Sequence, residues 1–280
     1  MYGMPSRVRL LYHGLGQREA KTIDRDLDLA ITEFAPGSQK TKDKRVYTAI
    51  GFTAPLLPEP TWRPSSPNPF PRRLWMMRCD LCHYAETSPA EPANTFCPEC
   101  GNSMVGDNAF RVFEIVVPAA FRTALNRGVD AKEGAELLPR GMSSLAERSD
   151  IPLELVNGTN TRRSLSSGVV YKINDRAGRL FSGSLGMASW VRGGRALPDQ
   201  WIEERYQNQR DEDDAVRFTP NANGSERIAL AAPKTTDILR IQPASVTRAI
   251  CLDLLARDEN GHISQFGHGS DTKVRGSWPI

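Results

Sequence analysis

Cys79-Asp80-Leu81-Cys82 and, after fourteen intervening residues, Cys97-Pro98-Glu99-Cys100-Gly101 spell CxxC-x14-CxxCG. Two residues between cysteines let both thiolates of one tight turn face a common centre. A second such turn completes the tetrahedral all-sulfur shell that zinc prefers. Gly101 fits the pattern, because a knuckle of this kind turns through a positive φ just after its second ligand. Disulfides are the structural alternative, but the polar start Met1-Tyr2-Gly3-Met4-Pro5-Ser6-Arg7 lacks the apolar core of a secretion signal. A redox CxxC needs only one pair. The expected ligands are therefore Cys79, Cys82, Cys97 and Cys100, with Zn2+ as a structural cofactor; four thiolates leave no open position for a reacting water. His83, beside Cys82, is superfluous as a ligand. The fifth cysteine, Cys251, falls on a helix-like apolar pattern over 246–257 and reads as a small buried hydrophobe.

Outward from the knuckles, Arg72-Arg73-Leu74-Trp75-Met76-Met77-Arg78 reads as the first strand of a zinc ribbon spanning 72–105. Before it, seven of the seventeen residues from Pro55 to Pro71 are proline, so this stretch runs as an extended surface connection. After it, Phe110–Val117 is β-branched and aromatic and stops at Pro118. Val8–Tyr12 and Arg45–Phe52 also read as strands. From Ile23 to Phe34, Ile23, Leu27, Ala30, Ile31 and Phe34 recur at three- and four-residue steps, which predicts one amphipathic helix ended by Pro36-Gly37. Residues 124–166, rich in Arg, Gly, Ser and Asn, suggest a partner-dependent loop. Val169–Ile173, a Gly-containing turn and Arg179–Phe181 suggest a hairpin, and Ile238–Ile241 a strand. The fold class expected is α+β, mainly β with short helices and an inserted four-cysteine zinc ribbon. The segments are 1–54 (α+β), 55–71 (connection), 72–105 (ribbon) and 106–280 (a further α+β domain).

Length and composition bound the function classes. The chain has 280 residues, 36 basic against 33 acidic, for a formal charge of +3, and 39% hydrophobic residues are enough to bury a core. No apolar run reaches the roughly 18 residues of a membrane span, and the expected location is cytoplasmic. Of the basic residues 28 are Arg and 8 Lys. Arg suits phosphate recognition, and a GC-rich genome also writes Arg for Lys. The distribution is uneven: seven basic residues and one acid lie within 159–195, and seven acids with two arginines within 199–214, ending in Asp211-Glu212-Asp213-Asp214. The pattern suits an electropositive surface beside an acidic loop, or two solvated faces that pair with each other or with a partner.

No GxxxxGK[ST], GxSxG, HExxH or GxGxxG occurs, and four histidines (13, 83, 262, 268) offer little acid–base chemistry. His262 and His268 lie in a Gly-rich loop pattern. An independent enzyme is not expected.

The strings Tyr2–Arg9, Ile23–Ile31, Glu33–Ser38 and Lys44–Phe52, with the CxxC…CxxCG pattern, Val116–Arg122 and Lys234–Leu239, resemble the C-terminal zinc-associated region of large bacterial DEAD/DEAH-type helicases, as in MrfA-like repair helicases and the DrmA/DrmB components of DISARM phage defence. The resemblance implies docking on a helicase motor domain or companion subunit and help in holding DNA. The motor motifs are absent, and the chain stops at Trp278-Pro279-Ile280, about where members of that group continue. A fragment or split gene product is therefore expected, with a C-terminal strand that needs a partner. The expectation is a non-catalytic zinc module of a helicase-associated, DNA-binding assembly in phage defence or DNA repair. Arg72, Arg73, Arg162, Arg163, Arg176 and Arg179 would meet phosphates, and Trp75 and Tyr171 would stack on bases. Two readings stand beside it: an interaction scaffold that never touches nucleic acid, and a metal-dependent nuclease built on 211–214.

Overall fold

The computed structural model describes residues 7–14, 21–57, 65–106, 109–124, 129–130, 142–147, 151–157, 161–190, 196–207 and 216–243. The expected helix at 246–257 with Cys251, the acidic run 211–214, Arg192, Arg195, His262, His268 and the C-terminal strand lie outside them. The chain is mainly β. Its strands are β1 (Val8–His13), β2 (Lys21–Asp26), β3 (Gln39–Lys42), β4 (Arg45–Thr53), β5 (Arg72–Cys79), β6 (Ala85–Ser88), β7 (Phe110–Val117), β8 (Ala120–Thr123), β9 (Val129–Asp130), β10 (Met142–Ala146), β11 (Glu154–Leu155), β12 (Thr161–Asn174), β13 (Phe181–Trp190), β14 (Ala196–Glu203), β15 (Val216–Pro220) and β16 (Glu226–Pro243). One α-helix, α1 (Leu27–Glu33), stands among them.

The chain forms two compact units. Unit 1 comprises the described residues within 1–74, 113–144 and 171–233, and unit 2 those within 75–112, 145–170 and 234–280. In unit 1 the hydrogen-bonded strand order is β2-β1-β8-β4-β14-β13-β16-β7. Neighbours are antiparallel except β1 with β8 and β16 with β7, which are parallel.

The expected helix at 23–34 is shorter than its periodicity. Residues Lys21–Asp26 pair in register with β1, from Val8 opposite Asp26 to His13 opposite Lys21. Ile23 suits both structures: it lies four residues before Leu27, yet on β2 it packs against the same core. Exposed Asp24 and Asp26 flank it as on an edge strand. The helix begins after Asp26, whose backbone is still extended at φ −56° and ψ 144°. The Leu27 N–H donates to the Arg7 carbonyl and Arg7 pairs with Asp28 in the first turn, so two groups at the helix start are satisfied by the strand before it. Leu27, Ala30 and Ile31 face the core, and the chain leaves through Gly37 at φ +93°.

The hairpin expected at 169–181 is also different. The turn forms, with Arg176 and Ala177 at positive φ and the Leu180 N–H donating to the Asp175 carbonyl. Its arms, however, do not pair with each other. β13 pairs with β14, β15 and β16, and β12 with β10, β11 and β16. The turn is set locally, whereas pairing is decided by β16, which begins only at Glu226.

Aromatic rings fill the core of unit 1. Phe52 touches Phe70, Phe121 and Trp201 at centroid distances of 5.3, 5.4 and 5.1 Å, within the range of favourable tilted contacts. Trp201 on β14 fits because both flanking strands carry glycine. A Cβ on Gly51 of β4 would overlap the Trp201 carbonyl oxygen, and one on Gly183 of β13 would come within 2.5 Å of the Ile202 carbonyl oxygen and of the indole ring. Neither obstacle is a flexible side-chain end. Gly51→Ala and Gly183→Ala should each lower the stability of unit 1 by about 1–3 kcal/mol, the usual effect of overpacking. Gly168→Ala, whose Cβ would meet only the tip of Ile238, should cost less. Urea unfolding of the three variants checks the order.

Candidate metal centre

β5 and β6 pair antiparallel from Trp75 opposite Ser88 to Arg78 opposite Ala85. The first knuckle, Cys79 to Tyr84, is the turn that joins them. The second lies between β6 and β7, where Phe96 and Ser103 form a short bridge around Cys97 and Cys100. Both knuckles make the same hydrogen bonds. In the first, the His83 N–H donates to the Cys79 carbonyl at 3.0 Å and the Cys79 N–H to the Tyr84 carbonyl at 2.9 Å. In the second, the Gly101 N–H donates to the Cys97 carbonyl at 2.9 Å and the Cys97 N–H to the Asn102 carbonyl at 2.8 Å.

The matched pattern puts His83 and Gly101 at equivalent positions, and both are left-handed, at φ +59° and +70°. The Gly101 reading holds, while His83 has a role the spacing alone did not reveal. Its imidazole is exposed, and what the knuckle uses is its backbone. Histidine tolerates this region better than bulky residues do.

The knuckles bring four sulfurs together. Cys79 and Cys100 are 3.7 Å apart, Cys82 and Cys97 3.6 Å, and all four lie within 4.8 Å of one another. A tetrahedral shell with metal–sulfur bonds of about 2.3 Å has edges of about 3.8 Å, so the cluster has the dimensions to hold a metal ion. Among the described residues it is the cluster of His, Cys, Asp and Glu side chains that does. Cys79, Cys82 and Cys97 are buried and Cys100 is exposed. Met77, Tyr84 and Phe110 pack around the sulfurs, and the Asn102 side-chain amide approaches Cys79 Sγ at 3.9 Å. Asp80, inside the first knuckle, is braced by Arg78 at 2.9 Å and Arg111 at 3.3 Å.

Without a cation, burial pushes the Cys82 and Cys100 thiols above the usual cysteine range. Burial opposes ionisation of Cys79 too. There the N–H groups of Cys82 and Leu81, with the neighbouring thiols, outweigh it and hold the thiol below that range. A bound divalent cation would deprotonate all four.

The arginines divide into two groups. Arg73 is bidentate to Glu226 at 2.9 and 3.0 Å and also reaches Glu114 at 2.9 Å; its guanidinium lies 4.8 Å from the Phe70 ring centroid. Although burial opposes it, these carboxylates raise its pKa further. Arg176 is paired with Glu203 and lies over Phe181. Arg72, Arg162, Arg163 and Arg179 are exposed. Arg72 donates to the Tyr171 hydroxyl at 3.4 Å, and Arg162 and Arg163 sit opposite Leu155 and Glu154 on β11. Tyr171 is a core residue with 1% of its surface exposed, so it has no face for a base. Trp75 is half-buried.

A Cβ at Gly101 would meet nothing within 4 Å, so Gly101→Ala isolates the conformational term and should destabilise the metal-loaded knuckle by about 1–2 kcal/mol. His83→Gly should stabilise it, at most by a similar amount. Competition with a chromophoric chelator checks both. Comparison with protein-family models, curated proteins and solved structures finds no match to this chain.

Proposed function

We propose that this chain is a non-catalytic module, stabilised by structural zinc, that holds DNA within a helicase-associated assembly of phage defence or DNA repair. It works in the cytoplasm beside a motor domain or companion subunit. The observation that carries the zinc is the set of four sulfurs at tetrahedral spacing on two knuckles with matching backbone bonds. Thiolates select soft or borderline cations, and an all-sulfur tetrahedral shell suits zinc. With its coordination closed, the ion acts structurally and ties the β5–β6 turn to the loop that precedes β7.

Contact with DNA is supported by the exposed arginines that no carboxylate is seen to neutralise among the described residues. Arg162 and Arg163, adjacent on β12, are the best placed, and Arg72 and Arg179 are further candidates. Phosphate contacts of this kind position nucleic acid without reading its sequence. The helicase association is proposed from the resemblance of the strings at 2–52, 116–122 and 234–239 and of the cysteine pattern.

One observation favours a second reading, a scaffold that binds protein and not DNA. In unit 2, Leu155, Leu165, Leu239 and Ile241 are large apolar side chains more than half exposed, as on a surface that meets a protein partner.

Metal analysis of the purified chain should give one zinc per chain. Cys97→Ser or strong chelation should remove it and collapse hydrogen-exchange protection over 75–112. Well under one zinc, with disulfides in its place, contradicts the zinc reading. DNA binding should weaken steeply with salt, and Arg162→Glu with Arg163→Glu should reduce the slope of log K against log salt by roughly 2, about 0.9 for each phosphate left unneutralised. No binding at low salt, or binding insensitive to salt, favours the scaffold.

A further inference from the structure

Arg122 on β8 has no exposed surface. Along β8 the side chains alternate: Phe121 enters the aromatic core, and Ala120 packs on the other side with Tyr12, Leu56 and Leu197. Arg122, two residues from Ala120, shares that second side. Its Nη1 donates to Gln200 Oε1 at 3.0 Å and its Nε to the Thr123 carbonyl at 3.4 Å. Its Nη2 has no hydrogen-bond partner. Burial lowers the guanidinium to about 10, so it stays charged at neutral pH.

Elsewhere in unit 1, half-buried arginines are answered by carboxylates: Arg73 by Glu114 and Glu226, Arg176 by Glu203, Arg7 by Asp28. Arg122 is more deeply buried than any of these, and no described carboxylate pairs with it. Its partner is instead the neutral amide of Gln200, itself fully buried. That amide is held in place because its Nε2 donates to Thr53 Oγ1 at 2.9 Å, which leaves Oε1 for the guanidinium. A buried charge calls for an opposite charge, and a fixed neutral partner satisfies one N–H while leaving the charge unanswered.

We propose that Arg122 anchors a binding site for a small oxyanion, a carboxylate or phosphate group, inside unit 1. One oxygen of the anion accepts from Nη2, and its charge completes the guanidinium. The enclosed position restricts the ligand to a small species and separates this site from any contact with nucleic-acid phosphates. The inference is independent of the zinc and of DNA binding.

The test is thermal unfolding and calorimetric titration of the zinc-loaded full chain with inorganic phosphate, acetate and chloride at matched ionic strength. The unfolding midpoint of the wild type should rise by several degrees, saturably, with phosphate or acetate, and not with chloride. A response to phosphate alone identifies a phosphate site, and one to acetate alone a carboxylate site. Gln200→Glu supplies the missing charge from within. It should raise the midpoint without added anion and weaken anion affinity at least tenfold. Arg122→Met should abolish the response. If the wild type responds to neither oxyanion, responds equally to chloride, or responds no differently from Gln200→Glu, the proposal is overturned. Gln200→Glu keeps the test informative where Arg122→Met fails to fold.

Discussion

Four sulfurs held within 4.8 Å of one another would repel strongly as thiolates, and as thiols they are only weak hydrogen-bond partners in a buried setting. A cation among them converts repulsion into the bond that closes the ribbon. Unit 2 has few other means of closing there. The loop between β6 and β7 holds little regular structure beyond one bridge, and the apolar cluster around the sulfurs is small. The backbone bonds of the two knuckles shape the ligands, but only the ion joins one knuckle to the other.

The same constraint, that charge removed from water must be answered, organises unit 1 by different means. Glu203, with 3% of its surface exposed, is answered twice, by Arg176 and by Arg205 at 2.9 Å. Arg205 also donates to the Pro36 carbonyl at 3.2 Å, beside the positive-φ turn that ends α1. Glu33 at the end of α1 gathers Arg25 and Lys40, both at 3.0 Å. These contacts tie the strand ends to the helix. Removing one member would leave its partner buried and unpaired, which costs more than the pair itself contributes.

The metal ligands were legible in the sequence because the information is local: two residues set the bite of each knuckle, and a glycine marks the exit of the second. Strands β1, β4, β5 and β7 were legible for a similar reason, each being a short β-branched or aromatic run bounded by Gly or Pro. What was not legible depended on distant partners. Ile23 fits a helix period and a strand period equally, and only pairing with β1 decides between them. The turn at 175–180 is local, but β16 claims an edge of each arm. Charge clustering showed where arginines are dense and not which were already paired, since Glu114 and Glu226 lie 41 and 153 residues from Arg73.

The arginine excess over lysine takes a different meaning from the structure. In the described residues arginine serves largely as an internal brace. Arg73 grips two carboxylates, Arg205 joins a carboxylate and a carbonyl, and Arg7 joins Asp28 to the Pro233 carbonyl at 2.8 Å for each bond. Every such brace needs several donors fixed in a plane, which a guanidinium offers and an ammonium on a flexible stem does not. A base composition that favours Arg codons would populate surface sites without regard to geometry. It would not by itself account for forks that reach two acceptors on separate strands. The exposed remainder, Arg72, Arg162, Arg163 and Arg179, carries no such double duty, and it is in this smaller set that affinity for a polyanion has room to reside.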